Sequence, residues 1–121
     1  MILETLAVAA LLHLPPAERD PRWMQPSRSA PSAAVNFGKC VIRHESRNVG
    51  GPVAENPRST ASGLFQLLDG TWRHYAAHVP SARKYRHAAS APASVQWEVF
   101  LLAFKWHGQR NWAGTSCGYG T

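Results

Sequence analysis

Among the seven acidic residues of this 121-residue chain, Glu45 stands where acid chemistry could be done. It follows the run Cys40-Val41-Ile42-Arg43-His44 and precedes the polar stretch Ser46-Arg47-Asn48. A carboxyl at the junction of an apolar-faced helix and a polar loop can be half desolvated. Desolvation disfavours the charged form, so such a group holds its proton toward neutrality and can deliver it to a leaving oxygen. A solvated surface glutamate near a helix end is the plain alternative for the same residues. His44 beside it could tune the carboxyl, or simply face the other way.

A second cluster follows: Asn56-Pro57-Arg58-Ser59-Thr60-Ala61-Ser62-Gly63-Leu64-Phe65-Gln66. Hydroxyls and a glycine lead into an apolar turn that carries a single amide, Gln66. Such a segment can wall a groove and offer hydrogen bonds to sugar hydroxyls and acetamides. Most glycoside hydrolases pair two carboxylates across the scissile bond. Here Glu4, Glu18 and Asp20 precede the compact region, Glu98 falls in a long helical pattern, and Asp69 looks like a helix cap. Only Glu55 lies in the loop after Glu45, which makes it the possible helper. Of the six histidines, His74 and His78 are four apart on one helical face, and His44 and His107 could join them around an ion. No His-Glu-x-x-His signature accompanies them, so no metal is expected, and nothing calls for a cofactor.

The elements that must position these groups read as mainly α. A helix from about residue 32 or 33 to 44 or 45 puts Phe37, Cys40, Val41 and His44 on one face. Residues 48–56 are loop. Asp69 can cap a helix running through Trp72 and Tyr75 to about His78, where Pro80 ends it. Residues 82–89 allow another short helix. Pro92 opens the last long helix, whose Val95, Val99, Leu102 and Trp106 are spaced as a core stripe, and Gly108 is placed to end it. Residues 111–121, with Trp112 and Cys117, read as irregular.

Upstream, residues 1–33 form a separate region: a short helix over residues 1–14, stopped by Pro15 and Pro16, then a Pro/Ser/Arg-rich linker or surface-hugging arm. Residues 2–14 are apolar but hold Glu4 and His13 and fall short of the ~20 residues a membrane span needs. They read as a signal remnant or as a helix docked on the domain or a partner, such as other cell-wall or phage tail proteins. The compact domain is expected over residues 34–121.

The formal net charge is +6, with a pI near 10.0. That balance draws a protein to polyanions, whether nucleic acid or a bacterial wall carrying carboxylates and anionic polymers. There is no zinc-finger spacing, no RRM-like motif and no dense Lys/Arg stripe, so nucleic acid is not the expected partner. A nucleic-acid binder would need Arg73, Arg83, Lys84, Arg86 and Arg110 gathered on one face. Five Trp is many for this length: buried, they fill a small core; exposed, they suit stacking on a flat ligand. Cys40 and Cys117 either pair or stay as two separately buried thiols; no Cys-x-x-Cys is present.

The two clusters together resemble the lysozyme superfamily, in its soluble lytic transglycosylase and goose-type lysozyme branch, and the related resuscitation-promoting-factor domains. Glu45-Ser46 is similar to the Glu-Ser that ends the first catalytic-domain helix there. Gly63-Leu64-Phe65-Gln66 is similar to the Gly-Leu-Met/Phe-Gln element, in a form like that of wall-degrading phage tail and virion domains, and Asp69-Gly70-Thr71-Trp72 continues it. The resemblance covers roughly residues 34–121. It implies a small lysozyme-like domain with a groove, acting outside the cell, at the cell wall or in a phage virion. It implies Glu45 as the catalytic acid, Ser46 fixing the site, and Gln66 and Phe65 at the sugar groove with Tyr75 and Tyr119 as further substrate contacts. It also implies a single Cys40–Cys117 disulfide. The expected substrate is the peptidoglycan glycan strand, cleaved at the bond between N-acetylmuramic acid and N-acetylglucosamine. Lack of a clear second carboxylate fits the transglycosylase route, in which Glu45 acts as acid and then as base and leaves a 1,6-anhydro end. A lysozyme-type hydrolase with Glu55 as helper, and a non-catalytic glycan-binding or structural phage component, are the alternatives.

Overall fold

The computed structural model describes residues 20–118. The short helix expected over residues 1–14, and Tyr119, lie outside the described residues. Among the described residues there are three α-helices: α1 (Ser32–Glu45), α2 (Asp69–Ala76) and α3 (Ala93–His107). Single 3-10 turns stand at Arg22–Met24, Gly51–Val53 and Ala88–Ser90, and a longer one at Arg110–Thr115. Among the described residues there is no strand, only isolated antiparallel bridges from Ser62 to Glu55 and to Leu67. The fold is mainly α, with one disulfide between Cys40 and Cys117, whose Cα atoms are 5.8 Å apart.

The core is built on α3. Val95, Gln96, Trp97, Val99, Phe100 and Ala103 are all buried. Burial on so many sides explains why a narrow stripe misreads this helix: Val95 and Val99 are buried, Leu102 is half-buried, and Trp106 is exposed beside His78. Helix α1 crosses α3 at Gly38, where a Cβ would sit 2.6 Å from the Trp97 ring and 2.9 Å from that of Phe100. Close approach of the two helices therefore needs glycine at this position. Phe65 stacks on Phe100 at 4.3 Å between centroids, and Trp97 and Trp112 meet Phe100 at 5.5 and 4.9 Å. Each buried indole N–H finds a carbonyl: Trp72 that of Tyr85, Trp97 that of Trp23, Trp112 that of Phe65. Aromatic area thus fills a small core without leaving a polar atom unpaired.

Residues 20–31 run as an arm pressed on this core. Met24 is fully buried, and the Trp23 carbonyl accepts the Trp97 indole proton. Within the arm, the enclosed carboxylate of Asp20 lies 3.1 Å from Arg47 and 3.5 Å from Arg43 at the end of α1.

Element ends follow local chemistry. α1 runs over the expected residues, and α3 starts after Pro92 and stops at Gly108, which takes φ 58°. α2 is shorter than expected and ends at Ala76. Its N-cap is Leu68, not Asp69; the Asp69 N–H is met instead by Thr60 Oγ1, and its carboxylate turns to His87. The helix expected over residues 82–89 is replaced by turns. There the backbone is drawn off a helical path, with the Tyr85 carbonyl taken by Trp72 and Arg83 reaching back to the Ala77 carbonyl.

Candidate functional site

Glu45 is the last residue of α1 and is half-buried. Among the described residues its carboxylate has no hydrogen-bond or ion-pair partner. Past it the chain leaves the helix at Ser46, with φ −138°. The Ser46 and Arg47 N–H groups both return to the Ile42 carbonyl, and the Ser46 carbonyl accepts from Val49 and Gly51. The exit from the helix is therefore fixed on both sides of Ser46. Its side chain is 1% exposed, and Oγ donates to the Leu64 carbonyl at 2.7 Å.

That bond joins the end of α1 to the turn at residues 63–66. Gly63 has φ 78° and its N–H reaches the Ala54 carbonyl at 2.8 Å. The Leu64 N–H donates to Gln96 Oε1 at 2.7 Å, while Gln96 Nε2 donates to the carbonyls of Pro52 and Ala91. A Cβ on Gly63 would run into Gln96 Oε1. Gln66 also takes a positive φ, 49°, and its amide nitrogen folds back on the carbonyls of Gly63 and Ala54. Its Oε1 takes no hydrogen bond among the described residues and stays available as an acceptor.

The expected substrate contacts thus separate by burial. Ser46 and Phe65 are closed to solvent, so they act through geometry and present no atom to a sugar. Gln66 is half-buried and keeps an acceptor. The Tyr75 ring is buried, and its hydroxyl lies 2.6 Å from His107 Nδ1 and 3.0 Å from Asn111 Nδ2.

Glu55 is exposed and engaged. His87 Nε2 lies 2.9 and 3.0 Å from its two oxygens, while Nδ1 lies 2.7 Å from Asp69 Oδ1. Hydrogen bonds first to Asp69 and then to Glu55 raise the His87 pKa above its ordinary value of 6.5, because both ring protons are used. The imidazolium ties the loop that carries Glu55 to the first residue of α2. No contact joins Glu55 to Glu45 among the described residues.

Two of these residues were not singled out by sequence. Gln96 had a signal: a lone amide between Val95 and Trp97 in an apolar helix, where burial demands that all its polar atoms be met. His87 had none, since its carboxylates lie 32 and 18 positions away. As for metals, His74 and His78 gather no third donor among the described residues. Cys40, His44 and Cys117 do place donor atoms within 4.8 Å of one another, but both sulfurs are in the disulfide and offer no thiolate.

The chain is similar to proteins named "Probable transglycosylase SceD" from Staphylococcus aureus. Those of strains Newman, USA300 and COL are each 32% identical to it over 87 residues, which is 71% of this chain and 36% of theirs. The chain thus spans about a third of the length of the curated relatives it matches. No family model matches it, and no solved structure does.

Proposed function

We propose that this domain cleaves the β-1,4 bond between N-acetylmuramic acid and N-acetylglucosamine in peptidoglycan, as a lytic transglycosylase acting outside the cell, at the wall or from a phage virion. The observation that supports this most is the Ser46 to Leu64 bond. It ties the end of the helix that carries Glu45, half-buried and without a partner among the described residues, to the turn whose Gln66 Oε1 takes no hydrogen bond among them. The name of the staphylococcal relatives agrees with the reaction.

In this reading Glu45 protonates the bridging oxygen as the bond from it to the muramyl C1 breaks. The substrate's own acetamide carbonyl closes on C1 and carries the developing positive charge. Glu45, now a carboxylate, takes the proton of the muramyl C6 hydroxyl. O6 attacks C1, the acetamide leaves, and a 1,6-anhydro end forms with Glu45 reprotonated. Gln66 Oε1 accepts from a sugar hydroxyl or acetamide N–H, and Tyr119 supplies a further substrate contact. Glu55, already claimed by His87, is left out of the chemistry, which favours the lyase over a hydrolase built on two carboxylates. No cofactor is needed.

Digestion of purified peptidoglycan by wild type and Glu45→Gln, with mass analysis of the ends, tests this. Wild type alone should release soluble fragments, and these should carry anhydro ends. Equal release by Glu45→Gln would remove the catalytic assignment and leave a binding or structural module. Reducing ends would replace the lyase by a hydrolase.

A further inference from the structure

Between the first turn of α2 and the turn after α3 lies an open cavity of about 390 Å³. Thr71, His74, His107, Arg110 and Asn111 line it around the Tyr75 phenol, and no carboxylate does. Arg110 has no acidic partner among the described residues. The phenol organises its neighbours. Asn111 Nδ2 donates to the Tyr75 hydroxyl, which shares a second hydrogen bond with His107 Nδ1 at 2.6 Å. With the phenol as donor in that bond, a neutral His107 carries its ring proton on Nε2 and can give it to a ligand. A guanidinium with no acidic partner among the described residues, beside such a donor and in a wall where no described residue is acidic, suits an oxyanion and gains nothing special from a neutral sugar.

Both walls of the cavity connect to the turn that carries Gln66. Trp112 follows Asn111 in the chain, and its indole N–H donates to the Phe65 carbonyl, immediately before Gln66. On the other wall, α2 begins three residues after Gln66. These two links tie the cavity to the Gln66 turn on both sides.

We propose that the cavity holds a carboxylate carried by the substrate strand, with Arg110 as its principal anchor and His107 as the second donor. This rests on the function proposed above, in which the muramyl residues bear that carboxylate on a peptide stem or, where the stem is removed, on the lactyl group. The site then makes the domain selective for wall glycan over uncharged N-acetylglucosamine polymer.

Binding measured in the Glu45→Gln background keeps this separate from cleavage. Calorimetric titration of the full chain would use three probes of equal sugar length: peptide-bearing glycan, peptide-free glycan with lactyl carboxylates, and an N-acetylglucosamine oligomer. Adding Arg110→Gln should weaken the carboxylate-bearing probes about tenfold, the loss of one charge-assisted hydrogen bond, and leave the uncharged oligomer within about twofold. Loss on the peptide-bearing probe alone assigns the stem; loss on the peptide-free probe alone assigns the lactyl group; loss on both shows that the site takes either carboxylate. Arg110→Lys should recover part of the loss, and unchanged melting of Arg110→Gln would exclude a folding defect. Equal loss on all three probes, or no loss on any, overturns the proposal. So does loss confined to a polyphosphate polymer offered as a fourth probe. If wild type proves inactive on peptidoglycan while these binding differences hold, the catalytic reading fails and the carboxylate site stands.

Discussion

Ser46 Oγ donates to the Leu64 carbonyl at 2.7 Å, across 18 residues of sequence and shut from solvent. The two residues belong to the two motifs on which the functional reading rests, so one hydrogen bond sets their spacing. Ser46→Ala leaves a buried carbonyl unmet, at a cost of about 1–3 kcal/mol. The denaturant midpoint should fall accordingly. If the bond positions Glu45, release of soluble wall fragments at a temperature where the variant is still folded should drop as well. A variant that loses stability but keeps full specific activity would show that the bond holds the fold and not the site.

Gly63 and Gln96 make a second, independent test of the same turn. At φ 78° a side chain is strained, and the Cβ would displace the amide oxygen that accepts from Leu64. Gly63→Ala should destabilise by about 1–3 kcal/mol from backbone strain, with the lost hydrogen bond in addition. Gln96→Leu, similar in volume, strips the Leu64 N–H, Pro52 and Ala91 carbonyls of their partner at once. Because both changes break one shared contact, the double variant should lose less than the sum of the two, a coupling that unfolding of all four forms would read.

The outline of the fold was legible because periodicity reports burial of a face. α1 could be placed because Phe37 and Val41 of its expected face are buried, although that face turns toward Ile42 and leaves His44 exposed, and both ends of α3 because Pro92 and Gly108 mark them. What was not legible depends on distant partners. Asp69 was taken for a cap because local sequence offers it no other task, whereas its carboxylate serves His87. Trp106 was assigned to the core because four- and three-residue spacing cannot say where a helix emerges from its surroundings. In the site, residue types named Glu45 and Gln66, but only coordinates could separate Gln66, with an open acceptor, from Phe65, which stacks on Phe100.

His87 gives the domain a pH-dependent tie. Its pKa in the folded chain is raised by Asp69 and Glu55, so the folded state holds the proton more tightly than the unfolded one. The stabilisation is complete below the ordinary value of 6.5 while the carboxylates stay ionised. It is lost as pH rises through the raised folded value. Wild type should therefore melt higher at pH 6 than at pH 9, and His87→Gln should narrow that difference by lowering the pH 6 value more than the pH 9 value. An identical pH profile for both proteins would mean that another group carries the dependence.

The disulfide provides the last prediction, because it connects stability to the site. Cys40 lies five residues before Glu45 on α1, and Cys117, 77 positions further along, lies two before Tyr119. Closing a loop that long constrains the unfolded chain by about 4–5 kcal/mol on the chain-entropy estimate, a large part of the stability of a domain this size. Reduction, or the pair Cys40→Ser and Cys117→Ser, should lower the unfolding free energy by an amount of that order, read as a fall of the urea midpoint. The bond also anchors Cys117 against the helix that carries Glu45. Fragment release by the reduced protein, assayed well below its melting point, should then fall further than its folded fraction does. Full activity per folded molecule would confine the disulfide to stability and remove Tyr119's segment from the site.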